Sequence, residues 1–202
     1  MADCRVLVTG GAGFIGSRLV RRLAADGARC WVFDNLHPQV HGPGARAPDL
    51  GDRTRLIIGD VGDPTCFTAA VLEAEPHIVY HLAAETGTGQ SMTEPTRYSR
   101  ANVMGTAHLV DAMRQLARPP EALILAGSRA IYGEGEYLTA DGRKVTPGTR
   151  SAEAMAAGRF TPEVEGEGAL VPAATLEQAR AAPSSVYAST KLMQEHLVLQ
   201  AG

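Results

Sequence analysis

The sequence has few cysteines, no long apolar run and no excess of basic charge, and each of these shortages excludes a class of protein. Its 202 residues carry 19 Lys and Arg against 22 Asp and Glu, a formal net charge of -3. The chain therefore lacks the basic field with which proteins bind phosphate backbones, and we expect no nucleic-acid partner. No apolar stretch reaches the roughly 20 residues that span a bilayer, so we expect no membrane partner.

The three cysteines, Cys4, Cys30 and Cys66, are odd in number and lack CxxC spacing. Two of them fall in apolar runs that are typical of buried strands. This usage predicts reduced thiols in a cytoplasmic protein and no metal site. A signal peptide is not expected either, because a predicted strand begins within a few residues of the N-terminus.

Short β-branched runs alternate with helical patterns over the first two thirds of the chain, which is typical of βαβ units and a parallel sheet. Uniformly apolar runs such as Val6-Leu7-Val8 indicate strands buried on both faces. We therefore predict one α/β domain over residues 1–202, a doubly wound parallel sheet of the Rossmann-like kind. The predicted strands are 5–9, 30–33, 56–58, 78–81 and 123–126. The predicted helices are 13–25, 64–74, about 98–116, 151–157 and 185–200.

Residues 134–183 interrupt this alternation, because they are rich in Gly, Pro, Ala and Glu and contain one short predicted helix. An irregular insertion of this length is usually a lid, a binding loop or a disordered segment. The sequence leaves these three alternatives open.

A glycine-rich turn joins the first predicted strand to the first predicted helix. Gly10, Gly11, Gly13 and Gly16 satisfy both GxGxxG and GxxGxxG, patterns in which a pyrophosphate lies at the helix N-terminus. Such glycines can also mark a turn and nothing more. However, Asp34 ends the second predicted strand roughly 20 residues later, where a carboxylate binds the adenosine ribose hydroxyls of a dinucleotide. Because this carboxylate would repel a 2′-phosphate, the pattern favours NAD over NADP.

A candidate catalytic pair lies on the last predicted helix, where Tyr187 and Lys191 share one face. A tyrosine with a pKa of about 10 is a poor base, but a neighbouring ammonium favours the phenolate. The same spacing also occurs in Tyr and Lys pairs on solvent-exposed helix faces. In a chain that also carries a dinucleotide-binding glycine turn, it predicts catalysis. Ser128 follows the fifth predicted strand, where its hydroxyl could hold a substrate oxygen or simply cap a loop. We expect His81 to be structural.

Taken in order, these segments resemble the NAD-dependent epimerase/dehydratase family of extended short-chain dehydrogenases/reductases. The resemblance rests on Thr9 to Gly16, Asp34-Asn35-Leu36, Asp60-Val61, His81-Leu82-Ala83-Ala84, Asn102 to Thr106, Ser128 with Tyr132-Gly133, and Tyr187 with Lys191. Within the family, segments 35–42, 89–92 and 131–135 are most similar to nucleotide-sugar 4-epimerases of the dTDP-rhamnose 4-epimerase kind.

The resemblance implies a fold, a cofactor and a set of site residues. It implies epimerisation at C4 through a transient 4-keto sugar, NAD as cofactor, a nucleotide-sugar substrate and, when the protein is complete, a homodimer. The implied catalytic residues are Ser128, Tyr187 and Lys191. The implied cofactor residues are Gly10, Gly13, Phe14, Ile15, Gly16, Asp34, Asn35, Asp60, Val61, Leu82, Ala83, Ala84, Asn102, Tyr187 and Lys191. The implied substrate residues are Thr88, Ser91, Ser128 and Tyr132.

The sequence departs from the family pattern in two places. Sugar dehydratases carry Asp-Glu after the catalytic hydroxyl residue, whereas Arg129-Ala130 follow Ser128 here, which counts against dehydration. Family members also continue beyond the Tyr-Lys helix into a substrate domain, which this sequence does not contain. We therefore expect that the 202 residues are a fragment, that another chain completes the site, or that the protein has lost substrate binding. Two alternatives to an epimerase remain: an oxidoreductase or decarboxylase of the same family, and a truncated NAD-binding module without turnover.

Overall fold

The computed structural model describes residues 3–202, and a parallel five-stranded sheet in the order β3-β2-β1-β4-β5 forms its centre. The strands are β1 Arg5–Thr9, β2 Arg29–Asp34, β3 Thr54–Ile58, β4 Ile78–His81 and β5 Ala122–Leu125. The order reverses at β1, since β2 and β3 lie on one side of it and β4 and β5 on the other. The predicted doubly wound fold is confirmed, and ligands of such sheets bind where the order reverses.

Apolar layers cover both faces of the sheet. Val6 and Val8 of β1 pack in the layer that α1 covers, whereas Leu7 belongs to the opposite layer with Phe67 and Leu109; all five side chains are fully buried. Successive residues of a strand point to opposite faces, so a strand covered on both sides must be apolar throughout.

Eight α-helices are present in the described residues. They are α1 Phe14–Ala25, α2 Pro38–His41, α3 Pro64–Ala74, α4 Thr88–Ser91, α5 Pro95–Tyr98, α6 Gly105–Met113, α7 Ala152–Ala156 and α8 Val186–Ala201. A 3₁₀ turn follows β5 at Arg129–Tyr132. Side chains cap the helices that the sequence marked most clearly: Asp63 accepts the amides of Thr65 and Cys66 at the start of α3, and Ser185 accepts the amide of Ala188 at the start of α8.

One predicted helix is wrong in its middle. The periodicity over about 98–116 predicts a continuous helix, but the structure has a π-helical turn, Ser99–Met104, between α5 and α6. A π-turn changes the direction of the side chains it carries. Here it directs the Asn102 side chain into the protein interior, where the residue is fully buried.

The insertion at 134–183 contains a small antiparallel sheet of three two-residue strands. They are β6 Tyr137–Leu138, β7 Lys144–Val145 and β8 Val171–Pro172, in the order β7-β6-β8. The ammonium of Lys144 lies 3.0 Å from the Glu136 carboxylate and links β7 to the start of β6. Strands this short leave no periodicity to recognise. The role of the insertion stays open between the three alternatives given above.

Among residues 3–202, no helix has the length and apolar character needed to cross a bilayer. Cys4, Cys30 and Cys66 are free thiols. Burial, helped by the nearby Cys4, raises the pKa of the Cys30 thiol to about 11. A thiol with so high a pKa carries little thiolate at neutral pH, so Cys30 is an inert packing residue.

Candidate active-site cleft

A cleft of about 450 Å³ opens at the carboxyl ends of the parallel strands, where the strand order reverses. It brings together most of the residues that the sequence singled out for a dinucleotide. Those that line it are Gly10, Gly13, Phe14, Ile15, Gly16, Asp34, Asn35, Asp60, Val61, Leu82, Ala83, Ala84, Tyr187 and Lys191.

The glycine turn is built by two close approaches that a side chain would prevent. Gly10 has a φ of +67°, and a Cβ there would lie 2.8 Å from the amide nitrogen of Ala83. A Cβ on Gly16 would lie 2.4 Å from the carbonyl oxygen of Gly10. Glycine therefore allows the turn to lie against the end of β4 and α1 to begin directly over it.

The start of α1 presents backbone amides to the cleft. Its N-cap is Gly13, which has no side chain to accept them, unlike the capping Asp63 of α3 and Ser185 of α8. Phe14 and Ile15 in the first turn are 74% and 66% exposed. Free amides at the positive end of a helix dipole form a binding site for an anion. This cradle fits a pyrophosphate.

Asp34 connects the glycine turn to the opposite wall of the cleft. Its Oδ2 accepts the amide of Ala12 at 2.9 Å, and its Oδ1 accepts the amide of Leu36 at 2.9 Å. The His41 imidazole lies 3.6 Å from Oδ1, and both side chains are nearly buried. A carboxylate offers about four lone-pair sites, so Asp34 retains capacity to accept ribose hydroxyls.

The opposite wall is the short helix α2, which sequence reasoning did not assign to the cleft. His37, Gln39, Val40 and His41 all line it. Long-range contacts hold this helix in place: Gln39 donates to Gln90 at 3.1 Å and accepts from Arg97 at 3.1 Å. A helix of four residues has no detectable period, and the one available signal was the resemblance of segment 35–42.

Tyr187 and Lys191 lie one turn apart on α8, and both face the cleft. The Tyr187 amide donates to the Ser91 hydroxyl at 3.0 Å, and its ring meets Tyr98 edge to face with centroids 6.4 Å apart. Lys191 is 3% exposed. Burial lowers the pKa of Lys191 to about 8, an effect that the nearby Glu195 carboxylate opposes. The ammonium donates to Gln194 Oε1 at 2.7 Å.

His81 is a buried structural residue, as the sequence indicated. Its Nδ1 lies 2.7 Å from the Thr9 hydroxyl and its Nε2 lies 2.9 Å from the Thr106 hydroxyl. Burial, together with the charge of Lys191, lowers the pKa of His81 to about 3. The imidazole is therefore neutral at physiological pH.

Two of the predicted site residues act from behind the cleft wall. Asn102 is fully buried; it accepts the amide of Glu85 at 2.8 Å and donates to the Thr190 hydroxyl at 2.9 Å. Ser91 is also fully buried, donates to the Thr88 carbonyl oxygen at 2.6 Å and accepts the Tyr187 amide. Neither side chain reaches the cleft. Instead, Asn102 binds the backbone of Glu85 and Ser91 binds the backbone of Tyr187, and both Glu85 and Tyr187 line the cleft.

Three predicted hydroxyl residues lie outside the cleft. Ser128 is half-buried and accepts the amide of Ala130 at 3.2 Å, while its neighbour Gly127 lines the cleft. Thr88 is exposed at the start of α4. The Tyr132 hydroxyl donates to the carbonyl oxygen of Glu177 in the insertion at 3.2 Å. Their contacts with a substrate remain predictions.

Comparison with known proteins gives consistent matches. The profile of the NAD dependent epimerase/dehydratase family matches residues 6–156. The chain is 42% identical over 194 residues to the dTDP-L-rhamnose 4-epimerase of Burkholderia thailandensis, covering 96% of this chain and 52% of that protein. It is 33% identical over 161 residues to the UDP-glucose 4-epimerase of Mycolicibacterium smegmatis, covering 79% of this chain and 49% of that protein.

Among solved structures, the UDP-glucose 4-epimerase of Thermus thermophilus in complex with NAD superposes with a TM-score of 0.70 at 29% identity. The match covers 98% of this chain and 50% of that one. The chain thus spans about half the length of the relatives it matches.

Proposed function

Because this chain belongs to the NAD-dependent epimerase/dehydratase family, we propose that its cleft binds NAD and serves a nucleotide-sugar epimerase that inverts C4. One observation carries the proposal: Tyr187 and Lys191 line the same cleft as the glycine turn and Asp34. A binding module needs the turn and the carboxylate, whereas a reaction also needs an acid-base pair beside them.

Each part of the cleft has a task in this proposal. The amides at the start of α1 bind the pyrophosphate, and Asp34 accepts the adenosine ribose hydroxyls. NAD, when bound, supplies reversible hydride transfer at a carbinol carbon. Tyr187 takes the proton of the sugar 4-hydroxyl and later returns it, while the Lys191 ammonium favours the phenolate. Ser128 holds the same sugar oxygen. Since the 4-keto sugar regains its hydrogen on the other face, no net oxidation results.

The names of the relatives support a 4-epimerase over the other reactions of the family, because both curated relatives described above are 4-epimerases. The test is incubation with NAD and either dTDP-L-rhamnose or UDP-glucose, followed by NMR of the nucleotide sugars. A 4-epimer without net NADH supports the proposal. An oxidised or decarboxylated product with stoichiometric NADH would identify an oxidoreductase or decarboxylase, and NAD binding without conversion would support a binding module.

The cofactor assignment predicts that NAD binds at least roughly 30-fold more tightly than NADP, because Asp34 would lie close to a 2′-phosphate. Asp34→Asn keeps the size of the side chain and removes its charge, so the discrimination should fall to a few-fold. Isothermal calorimetry with both cofactors measures it. Asp60→Asn removes a different charge from the same cleft, and this control should leave the ratio unchanged. Equal affinity of the unaltered protein for both cofactors would refute the role of Asp34.

We also propose a homodimer. Its proposed face is an apolar groove on the outside of α8 and the π-turn, where Met92, Met104 and Met193 are 60%, 49% and 46% exposed. Met104→Glu with Met193→Glu should convert a dimer to a monomer in sedimentation velocity, because a charge in an apolar interface is costly. Met155→Glu on α7, where Met155 is 42% exposed, is the matched control. A monomeric unaltered protein would contradict the proposal.

A cytoplasmic location also stays a prediction.

A further inference from the structure

A chain of buried polar side chains runs from the end of β1 to Lys191. Its members belong to four elements of the fold and are at most 3% exposed. In order they are Thr9 on β1, His81 on β4, Thr106 on α6, and Gln194 and Lys191 on α8. Buried polar groups are costly unless each finds a partner, so such a chain is either structural or serves the residue at its end.

The direction of every hydrogen bond in this chain follows from one hydroxyl. Thr106 donates its single proton to the carbonyl oxygen of Asn102 at 2.7 Å. Its oxygen must then accept from both other neighbours, Gln194 Nε2 at 2.7 Å and His81 Nε2 at 2.9 Å. His81 therefore carries its proton on Nε2, and its Nδ1 accepts from the Thr9 hydroxyl at 2.7 Å.

The same logic sets the orientation of the Gln194 amide. If the amide were turned over, its oxygen would face Thr106, which has no proton left to donate. Its NH₂ group would then face the ammonium of Lys191, donor against donor. The amide oxygen is consequently held towards Lys191 Nζ at 2.7 Å.

We propose that Gln194 is a positioning residue for Lys191: its amide oxygen, oriented through Thr106, His81 and Thr9, holds the ammonium in place in the cleft that Tyr187 also lines. This inference rests on the proposed function for its catalytic meaning. The hydrogen-bond geometry that carries it does not depend on that function.

A neutral partner has a particular consequence at this position. Burial already lowers the pKa of Lys191 to about 8, with Glu195 opposing. His81 from β4 interacts with Lys191 and is neutral, and Tyr187 from its own helix lines the same cleft. Asn102 of the π-turn, Thr106 of α6 and Gly127 after β5 bring no charge. A carboxylate at position 194 would therefore act in the same direction as Glu195, whereas the neutral Gln194 adds no charge that opposes the effect of burial.

The chain contains only two lysines, Lys144 and Lys191, which makes a direct test possible. Lys144 is exposed in the insertion, so Lys144→Arg leaves a single lysine. In this background, ¹³C-lysine labelling and NMR follow the titration of Lys191 alone. Gln194→Glu should raise the titration midpoint by about one pH unit or more, and Gln194→Met should lower it by a similar amount. Gln115→Glu, at an exposed position just after α6, is the matched control and should leave the titration midpoint unchanged.

A purely structural role for Gln194 predicts a different result, since methionine fills the same space. Equal Lys191 midpoints in the parent and Gln194→Met would overturn the inference, and this comparison decides even if Gln194→Glu does not fold. Circular dichroism establishes folding of each variant. Calorimetry with NAD is run in parallel. Shifted Lys191 midpoints without NAD binding would support the positioning role and refute the proposed function. NAD binding with unshifted midpoints would support NAD binding by the cleft and refute the positioning role.

Discussion

Gly16→Ala is expected to lower the affinity for NAD by about 100-fold and to destabilise the domain by about 1–3 kcal/mol. The new Cβ would lie 2.4 Å from the carbonyl oxygen of Gly10 and 2.6 Å from the Cα of Gly11. Both are backbone atoms and cannot rotate away, so the start of α1 must move from the turn. Calorimetry measures the affinity, and thermal unfolding measures the stability.

The direction of the stability change distinguishes the steric clash from an effect of helix propensity. Gly16 lies within α1, and helix propensity alone predicts that alanine stabilises a helix by about 1 kcal/mol. Gly148→Ala is the control, because a Cβ there meets nothing within 4 Å and its backbone is not left-handed. Neither the NAD affinity nor the stability should change in the control. Unimpaired NAD binding by Gly16→Ala would show that the turn does not form the cradle proposed for the pyrophosphate.

Tyr187→Phe is expected to lower kcat for sugar epimerisation by about 10²–10⁴-fold, because the phenol oxygen is the proposed proton acceptor. The measurement uses a form of the protein that converts the nucleotide sugar. The ring that packs edge to face on Tyr98 is retained. NAD affinity should therefore change by no more than about twofold. Chromatography of the nucleotide sugars gives kcat, and calorimetry gives the affinity.

The control for this substitution is Tyr137→Phe, which removes a phenol oxygen from β6 in the insertion. It should leave both kcat and NAD affinity unchanged. Turnover by Tyr187→Phe at the rate of the parent would exclude the phenol as the base. A parallel loss of NAD affinity would show that the phenol oxygen also contributes to cofactor binding, the second role that the resemblance implies for Tyr187.

The features that were predictable from sequence are those whose cause is local. β1 and β4 have the predicted bounds, because an apolar run buried on both faces begins and ends with the strand. β3 is longer than predicted because Thr54 and Arg55 join the ladder by pairing with Cys30 and Trp31 rather than through their own hydropathy. β2 is longer because Arg29 pairs with Arg5 and Asp34 pairs with Ile58. The glycine turn was recognisable because backbone geometry at Gly10 and Gly16 admits no side chain.

The parts of the cleft that were not predictable depend on contacts between distant residues. α2 becomes a wall of the cleft through Gln39, whose partner Gln90 is 51 positions away. Asn102 is predicted to be a cofactor residue, and no local pattern shows that a π-turn directs its side chain to Thr190, 88 positions along the chain. No local period or spacing encodes such pairings.

Sequence by itself determined the doubly wound sheet, the phosphate turn and the pairing of Tyr187 with Lys191 on one helical face, because strand burial, glycine geometry and helical spacing act over a few residues. Tertiary structure alone decided what surrounds Lys191. Gln194 meets Thr106 across 88 positions and His81 meets Thr9 across 72. These contacts exist only once α8 has packed on α6 and the sheet, since desolvation and hydrogen-bond direction are properties of the packed interior rather than of any segment.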